Sequence, residues 1–276
     1  MDYLGGGTIN PKKITTLRLQ EFKETGRKIA CLTAYDAIMG KILDEAGIDV
    51  ILVGDSLGNI VQGHETTLPV TLEDMIYHTK AVVRGAKRPL VIADMPFMTY
   101  QVSADEAFRN AGRIMKETGC SAVKLEGCNS IIIKSIERMN EAGIPVMGHV
   151  GLTPQSINKF GSYRARGKNP NEAEEIYNQA IELEKAGSFA IVLEKVPKEL
   201  GQKITEDLKV PTIGIGAGPY CDGQILVYSD MLGLTVDFQP RFVRRYANLY
   251  DEIKNAVHNY AEDTRNQIFP NENESY

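Results

Sequence analysis

Ionisable side chains stand at the ends of short apolar runs at five places in the sequence. These runs are mostly apolar, and the one over 50–53 is rich in β-branched residues, which is typical of strands buried on both faces of a parallel sheet. The residues at these ends are Asp55 with Ser56, Asp94, Lys124 with Glu126, His149, and Glu194. Because the carboxyl ends of parallel strands meet at one side of a sheet or barrel, we expect these side chains to face one cavity.

Four carboxylates with one lysine and one histidine carry too much negative charge to share a cavity without a compensating cation. A hard divalent ion resolves this, because Mg²⁺ takes oxygen ligands and keeps positions open for water and substrate. Asp55 and Asp94, each at the end of an apolar run, are the expected direct metal ligands. Glu126 is expected in the same metal site, where it would hold a metal-bound water.

Such a site suits a substrate that chelates the ion through a carboxylate and a neighbouring carbonyl. The metal would then act as a Lewis acid on the carbonyl and stabilise an enolate. Glu194 follows a different strand from the two aspartates, so it is placed to remove the proton alpha to that carbonyl.

Each of these residues taken alone also has an ordinary structural interpretation. A carboxylate after a strand often caps the next helix, Lys124 could merely pair with Glu126, and His149 could be a satisfied polar group. The joint pattern favours a site, because five strands would otherwise place ionisable residues at the same end by accident.

The loop over 159–168 is basic and contains glycines. It is expected to be either a lid or anion contact, or a solvated surface loop.

The elements that must position these residues follow a repeated pattern. A helix end, a glycine suited to a left-handed cap, a short link and a strand recur at Gly47, Gly119, Gly143 and Gly187. Helices between the strands are predicted over 71–84, 104–118, 130–141 and 171–186, and a C-terminal helix over 246–262. A short helix over 15–25 could plug one barrel end, and the last strand is predicted over 224–230. Eight strand candidates alternating with helices favour an α/β fold of the (β/α)8 TIM-barrel type, with a doubly wound sheet as the alternative.

Length and composition fit one globular domain. The 276 residues are expected to form a single barrel domain with a flexible lead over about 1–12 and a polar tail over about 266–276. A net charge of −5 gives no basic footprint for nucleic acid, and no apolar run approaches the roughly 20 residues of a membrane helix. The four cysteines contain no C-x-x-C pair, which argues against a zinc site or a disulfide framework. A cytoplasmic protein is therefore expected.

Six segments form a specific combination in chain order. They read L-T-A-Y-D at 32–36, V-G-D-S-L-G at 53–58, A-D-M-P-F at 93–97, V-K-L-E-G at 123–127, G-H-V-G-L-T-P-Q at 148–155 and G-I-G-A-G at 214–218. Together they resemble the ketopantoate hydroxymethyltransferase (3-methyl-2-oxobutanoate hydroxymethyltransferase) family. The resemblance implies a barrel of the phosphoenolpyruvate/pyruvate type. It also implies hydroxymethyl transfer from 5,10-methylenetetrahydrofolate to 3-methyl-2-oxobutanoate, giving ketopantoate on the path to pantothenate and coenzyme A.

The resemblance also implies roles for individual residues. Asp55 and Asp94 match the family's metal ligands, and Glu126 matches the acidic residue beside the metal. The substrate-binding positions are matched by Asp55, Ser56, Asp94 and Lys124, the proton-transferring base by Glu194, and a further active-site position by His149. The resemblance implies a large homo-oligomer as well, typically a decamer.

Two other functions stay open from the residues. Another metal-dependent carbon–carbon or carbon–phosphorus lyase of the same barrel superfamily would use the same enolate chemistry on an oxo acid without folate. A catalytically silent barrel would only bind a ligand, and the retention of the acidic residues and Lys124 argues against it.

Overall fold

The structure is a computed structural model that describes residues 13–237 and 239–276. The flexible lead predicted over residues 1–12 lies outside the described residues. The chain divides into two compact units, one up to Ile225 and one from Leu226 to Tyr276.

Eight parallel strands close into a barrel, each paired with the next strand along the chain. The strands are β1 Ile29–Thr33, β2 Val50–Val53, β3 Leu90–Asp94, β4 Ala122–Lys124, β5 Val146–Gly151, β6 Ala190–Glu194, β7 Thr212–Ile215 and β8 Gly223–Leu226. The predicted (β/α)8 barrel is therefore confirmed. The doubly wound sheet is wrong, because the ring is closed and an open sheet would have two edge strands. Every residue of β2 and β3 is buried, as expected for strands covered on both faces.

In the first unit, α1 Thr16–Glu24 precedes β1, and helices follow most of the strands. These are α2 Ala37–Glu45, α3 Leu57–Ile60, α4 Leu72–Gly85, α5 Ala104–Thr118, α6 Ser130–Glu141, α7 Ile157–Phe160 after a 3-10 turn Pro154–Ser156, α8 Pro170–Lys185 and α9 Lys198–Asp207. Two of the four predicted inter-strand helices have the predicted bounds, and the other two are shifted by one residue. Side-chain caps define the starts of all four, since Thr71, Ser103, Asn129 and Asn169 accept hydrogen bonds from first-turn N–H groups.

The four glycines of the predicted helix-to-strand segments all adopt a positive φ. The angles are +87° at Gly47, +75° at Gly119, +82° at Gly143 and +103° at Gly187. This left-handed region is strained for residues with a Cβ atom. The turn returns the chain directly into the next strand, so the strands start at one end of the barrel and their carboxyl ends gather at the other.

The predicted plug is present at the amino-terminal end of the barrel. Leu19 and Phe22 of α1 are buried in one cluster with the residues that start β1, β2 and β3. The Lys23 ammonium pairs with the Asp222 carboxylate at 2.7 Å. Because α1 closes this end, the opposite end of the barrel is left for the ionisable residues.

The second unit contains α10 Tyr228–Met231, α11 Leu249–Arg265 and a 3-10 turn Glu272–Glu274. The strand predicted over 224–230 is wrong in its second half, because β8 ends at Leu226 and α10 follows. The Leu232 N–H donates to the Tyr228 carbonyl four residues earlier, which is the hydrogen bond of a helical turn. The prediction failed because a short apolar run does not distinguish a strand from a helix. The C-terminal helix begins and ends three residues later than predicted.

Residues 266–276, the predicted polar tail, are exposed throughout. Among the helices of the described chain, none combines the length and the apolar character that crossing a membrane requires.

The crossing of α2 and α4 gives a test of the packing. An added Cβ on Gly85 would stand 2.1 Å from the Ala37 carbonyl oxygen, whereas a Cβ on Gly112 in α5 would meet nothing within 4 Å. We expect Gly85→Ala to lower the free energy of unfolding by about 1–3 kcal/mol through overpacking. The control Gly112→Ala should raise it by about 0.5–1 kcal/mol through helix propensity. Urea denaturation measures both, and equal stability of the two variants would contradict the close crossing.

Candidate active site

The carboxyl ends of five strands carry the predicted ionisable residues. Asp94, Lys124 and Glu194 end their strands, His149 lies within β5, and Asp55 and Glu126 each follow a strand by two residues. These residues form one continuous series of contacts that runs from Asp55 through Asp94, Lys124, Glu126 and His149 to Glu194. The structure therefore brings the six residues into one group.

Asp94 and Lys124 form the buried centre of this group. They stand opposite each other on β3 and β4, and Lys124 Nζ donates to Asp94 Oδ1 at 2.7 Å. The backbone N–H of Asp55 donates to the other oxygen, Asp94 Oδ2, at 3.3 Å. None of the three residues is more than 4% exposed, so water screens their charges only weakly.

Glu126, His149 and Glu194 continue the group toward β6. Glu126 Oε1 lies 3.6 Å from Lys124 Nζ and 3.4 Å from His149 Nδ1. The other ring nitrogen, His149 Nε2, lies 3.5 Å from Glu194 Oε2. Within the described chain neither ring nitrogen has a closer hydrogen-bond partner, so the two carboxylates are the groups that face the ring nitrogens. Glu194 is the more accessible carboxylate, with 14% of its side chain exposed against 3% for Glu126.

Burial dominates the electrostatics of the aspartates. It raises the pKa of Asp55 well above its usual range, and the charges of Asp94 and Glu126 raise that pKa further. Burial also raises the pKa of Asp94, although the Lys124 ammonium opposes the shift. For Lys124, burial alone would lower the pKa, but the three surrounding carboxylates hold it above its ordinary value. The lysine is therefore charged at neutral pH.

The histidine is also charged. Burial alone would lower the pKa of His149, but the carboxylates of Glu126 and Glu194 outweigh it and raise the pKa to about 9. For Glu126, burial would raise the pKa, but Lys124 and His149 outweigh it and hold the pKa below its ordinary value. At neutral pH, a protonated His149 therefore lies beside an ionised Glu126.

The donor set at the centre fits a hard divalent ion. Over residues 13–237 and 239–276, no three His, Cys, Asp or Glu side chains form a group that could hold a metal ion by themselves. Mg²⁺ does not require such a group, since one or two protein carboxylates commonly hold it with water and substrate completing the shell. Asp55 and Asp94 supply two buried carboxylates of this kind, and the buried carboxylate of Glu126 lies beside them.

Ser56 lies next to the aspartates. Its Oγ is 2.7 Å from the Tyr35 hydroxyl. A Cβ atom on Gly54 would stand only 2.8 Å from the Ser56 Oγ, so the glycine leaves room for this hydroxyl. Ser56 is half-buried and could donate a hydrogen bond to an anionic ligand.

Two buried polar residues outside the predicted set complete the site. Gln155 Nε2 donates to Asp55 Oδ2 at 2.9 Å, and the Gln155 backbone N–H donates to Glu126 Oε2 at 3.0 Å. The Tyr100 hydroxyl donates to Gln155 Oε1 at 2.6 Å. Gln155 could have been predicted as a site residue because it follows β5 closely, as Asp55 and Glu126 follow their strands. Nothing in the sequence around Tyr100 predicts that it belongs to the site.

A cavity of about 310 Å³ adjoins the charged group, with Glu126 and Gln155 in its lining. Phe160 and Arg166, from the basic loop 159–168, also line it. The Arg166 guanidinium stacks over the Phe160 ring at 4.1 Å and pairs with Glu172 of α8, so this loop is tied to the barrel. Whether the loop acts as a lid, an anion contact or a surface loop stays a prediction.

Comparison with known sequences identifies the family. The family model of ketopantoate hydroxymethyltransferase matches residues 13–272. The 3-methyl-2-oxobutanoate hydroxymethyltransferase of Chlorobium phaeobacteroides (strain BS1) is 57% identical over 267 residues, which cover 95% of this chain and 96% of that protein. The protein of the same name from Flavobacterium johnsoniae is 55% identical over 265 residues, covering 96% and 97%.

Solved structures with a similar fold are more distant in sequence. Phosphonopyruvate hydrolase in complex with oxalate and Mg²⁺ has a TM-score of 0.61 at 14% identity, covering 95% of this chain and 93% of that chain. A 2,3-dimethylmalate lyase of the PEP mutase/isocitrate lyase superfamily has a TM-score of 0.59 at 16% identity, covering 95% and 91%. At such low identity these structures show a shared barrel fold and nothing further. The near full-length sequence matches show more: this chain belongs to the ketopantoate hydroxymethyltransferase family.

Proposed function

We propose that the protein transfers a hydroxymethyl group from 5,10-methylenetetrahydrofolate to 3-methyl-2-oxobutanoate, with Mg²⁺ assisting, to give ketopantoate for pantothenate and coenzyme A synthesis. Family membership supports the reaction class. The observation that carries the proposal is the buried series of contacts from Asp55 to Glu194, since it joins a cation-binding end to a proton-accepting end. The overall reaction consumes one water, whose oxygen becomes the new hydroxyl, and releases tetrahydrofolate.

Asp55 and Asp94 would hold the Mg²⁺, with Glu126 beside it. When bound, the ion would polarise the C2 carbonyl of the oxo acid and make the proton on C3 more acidic. The support is electrostatic, because four carboxylates face only two cations, Lys124 and the protonated His149, and a divalent cation would offset the unmatched negative charge.

Lys124 and Ser56 would bind the carboxylate of the oxo acid. The Lys124 ammonium is held in place by its bond to Asp94, so it presents a fixed positive charge at the base of the site. Hydrogen bonds between an ammonium and a carboxylate are short and strong. The Ser56 hydroxyl, fixed by Tyr35, would add a neutral donor.

Glu194 would accept the proton from C3. A base is useful only if it does not ligate the metal itself, and Glu194 stands on β6, three strands beyond the last metal-binding strand, β3. The protonated His149 between Glu194 and Glu126 would orient both carboxylates. The cytoplasmic location, expected from the composition, and the homodecamer, implied by the resemblance, stay predictions.

Product analysis tests this function directly. The protein is incubated with 3-methyl-2-oxobutanoate and Mg²⁺, with and without methylenetetrahydrofolate, and ketopantoate is measured by mass spectrometry. We expect ketopantoate only when folate and metal are both present, and we expect EDTA to abolish it. Cleavage of the oxo acid without folate would instead support a lyase, and binding without turnover would support a ligand-binding barrel.

Proton exchange tests the role of Glu194 separately from carbon transfer. In deuterium oxide with Mg²⁺, the wild-type protein should exchange the C3 proton of 3-methyl-2-oxobutanoate even without folate. Glu194→Gln has nearly the same shape but is a poor base, so its exchange should be about 10²–10⁴-fold slower. NMR of the C3 proton measures the rate. Glu199→Gln, an exposed glutamate of α9, is the matched control and should exchange at the wild-type rate. Undiminished exchange by Glu194→Gln would place the base elsewhere.

A further inference from the structure

Gln155 is a buried amide that joins several loops at the carboxyl end of the barrel. It lies in the 3-10 turn Pro154–Ser156 and is 5% exposed. Its Nε2 donates to Asp55 Oδ2 at 2.9 Å and to the Met95 carbonyl oxygen at 3.0 Å. Its Oε1 accepts from the Tyr100 hydroxyl at 2.6 Å and from Gln101 Nε2 at 3.1 Å.

These four hydrogen bonds saturate the Gln155 side chain. A primary amide has two N–H donors and two acceptor sites on its oxygen, and all four are used here. The orientation of the amide is determined, because the Met95 carbonyl can only accept and therefore requires the NH₂ group on its side. A buried amide with every bond made is held rigidly, since any rotation would leave buried polar atoms unpaired.

The same residue also fixes a second carboxylate. The Gln155 backbone N–H donates to Glu126 Oε2 at 3.0 Å, and the Glu126 backbone N–H donates to the Tyr100 hydroxyl at 3.1 Å. Asp55 follows β2 and Glu126 follows β4, so their strands are not neighbours in the barrel. Gln155 therefore sets the position of these two carboxylates relative to each other from a third strand, β5.

We infer that Gln155 is a positioning residue for cation binding, which orients Asp55 and Glu126 around the metal; this rests on the proposed function. The amide is suited to the task because it is neutral. It holds one oxygen of Asp55 without cancelling the charge that would bind the cation, whereas a lysine at this place would cancel it. Groups that orient metal ligands in this way typically change metal affinity by about 10–100-fold when they are lost.

Direct metal binding tests this role without relying on turnover. Mn²⁺ is titrated into the wild-type protein and into Gln155→Met, and free Mn²⁺ is measured by electron paramagnetic resonance. Gln155→Met is similar in size and removes all four side-chain bonds without adding charge. We expect its Kd for Mn²⁺ to rise by about 10–100-fold while circular dichroism shows a folded protein. A purely structural role would lower the unfolding temperature and leave the Kd of the folded protein unchanged.

Two further variants complete the design. Gln202→Met, at a glutamine of α9 that donates to Glu206 and lies outside this network, is the matched control and should bind Mn²⁺ as the wild type does. Tyr100→Phe keeps both Gln155 donors but removes one of the two bonds to the amide oxygen, together with the acceptor of the Glu126 N–H. It should therefore weaken Mn²⁺ binding less than Gln155→Met, and it decides the question if Gln155→Met does not fold.

The outcomes separate this inference from the proposed function. Wild-type Mn²⁺ affinity in folded Gln155→Met would overturn the role of Gln155 alone. If Gln155→Met does not fold, wild-type affinity in Tyr100→Phe would overturn it. A wild-type protein that binds no Mn²⁺ would overturn the proposed metal site and this role with it.

Discussion

Four carboxylates, those of Asp55, Asp94, Glu126 and Glu194, surround only two cations, Lys124 and the protonated His149, at the carboxyl end of the barrel, and the site is organised by this imbalance of charge. Removing a charge from water costs several kcal/mol, and even a well-paired buried ion contributes little net stability. Such a group is therefore better explained by what it binds than by the stability it adds. A divalent cation would offset the negative charge that Lys124 and His149 leave unmatched.

The two ends of the barrel differ in composition, and this difference positions the charged group at the carboxyl end. At the amino-terminal end, α1 and the first residues of the strands form an apolar cluster, and Asp49 is buried beside Arg27 and Arg88. At the carboxyl end, strand register places Asp94 opposite Lys124, so their short contact follows from backbone pairing. The fold thus fixes the central ion pair through the sheet, and the loops add Gln155 and Tyr100 around it.

Local signals in the sequence were sufficient to predict most of the architecture. Apolar runs ending in charged residues located the strand ends, because burial on both faces of a parallel strand leaves a nearly continuous apolar pattern. Glycines such as Gly119 located the helix-to-strand turns, because these turns need a positive φ. The end of β8 was predicted wrongly, since a short apolar run fits both a strand and a helix.

Contacts between distant parts of the chain could not be predicted in the same way. Gln155 and Asp55 are 100 residues apart, and their hydrogen bond exists only because the barrel brings the loops after β5 and β2 together. The orientation of Glu126 toward Lys124, His149 and the Gln155 backbone also depends on three separate loops and strands. Residue types indicated that a charged site exists, whereas the partners of each carboxylate required the structure.

The most direct test of the charge imbalance is the dependence of the unfolding temperature on Mg²⁺. Differential scanning calorimetry would compare the wild-type protein with the double variant Asp55→Asn/Asp94→Asn, which removes two of the four carboxylates. The account predicts that Mg²⁺ stabilises the wild type, by about 2.7 kcal/mol when its concentration is 100 times the Kd, and leaves the double variant unchanged. A wild-type unfolding temperature that is independent of Mg²⁺, or an equal rise in both proteins, would contradict it.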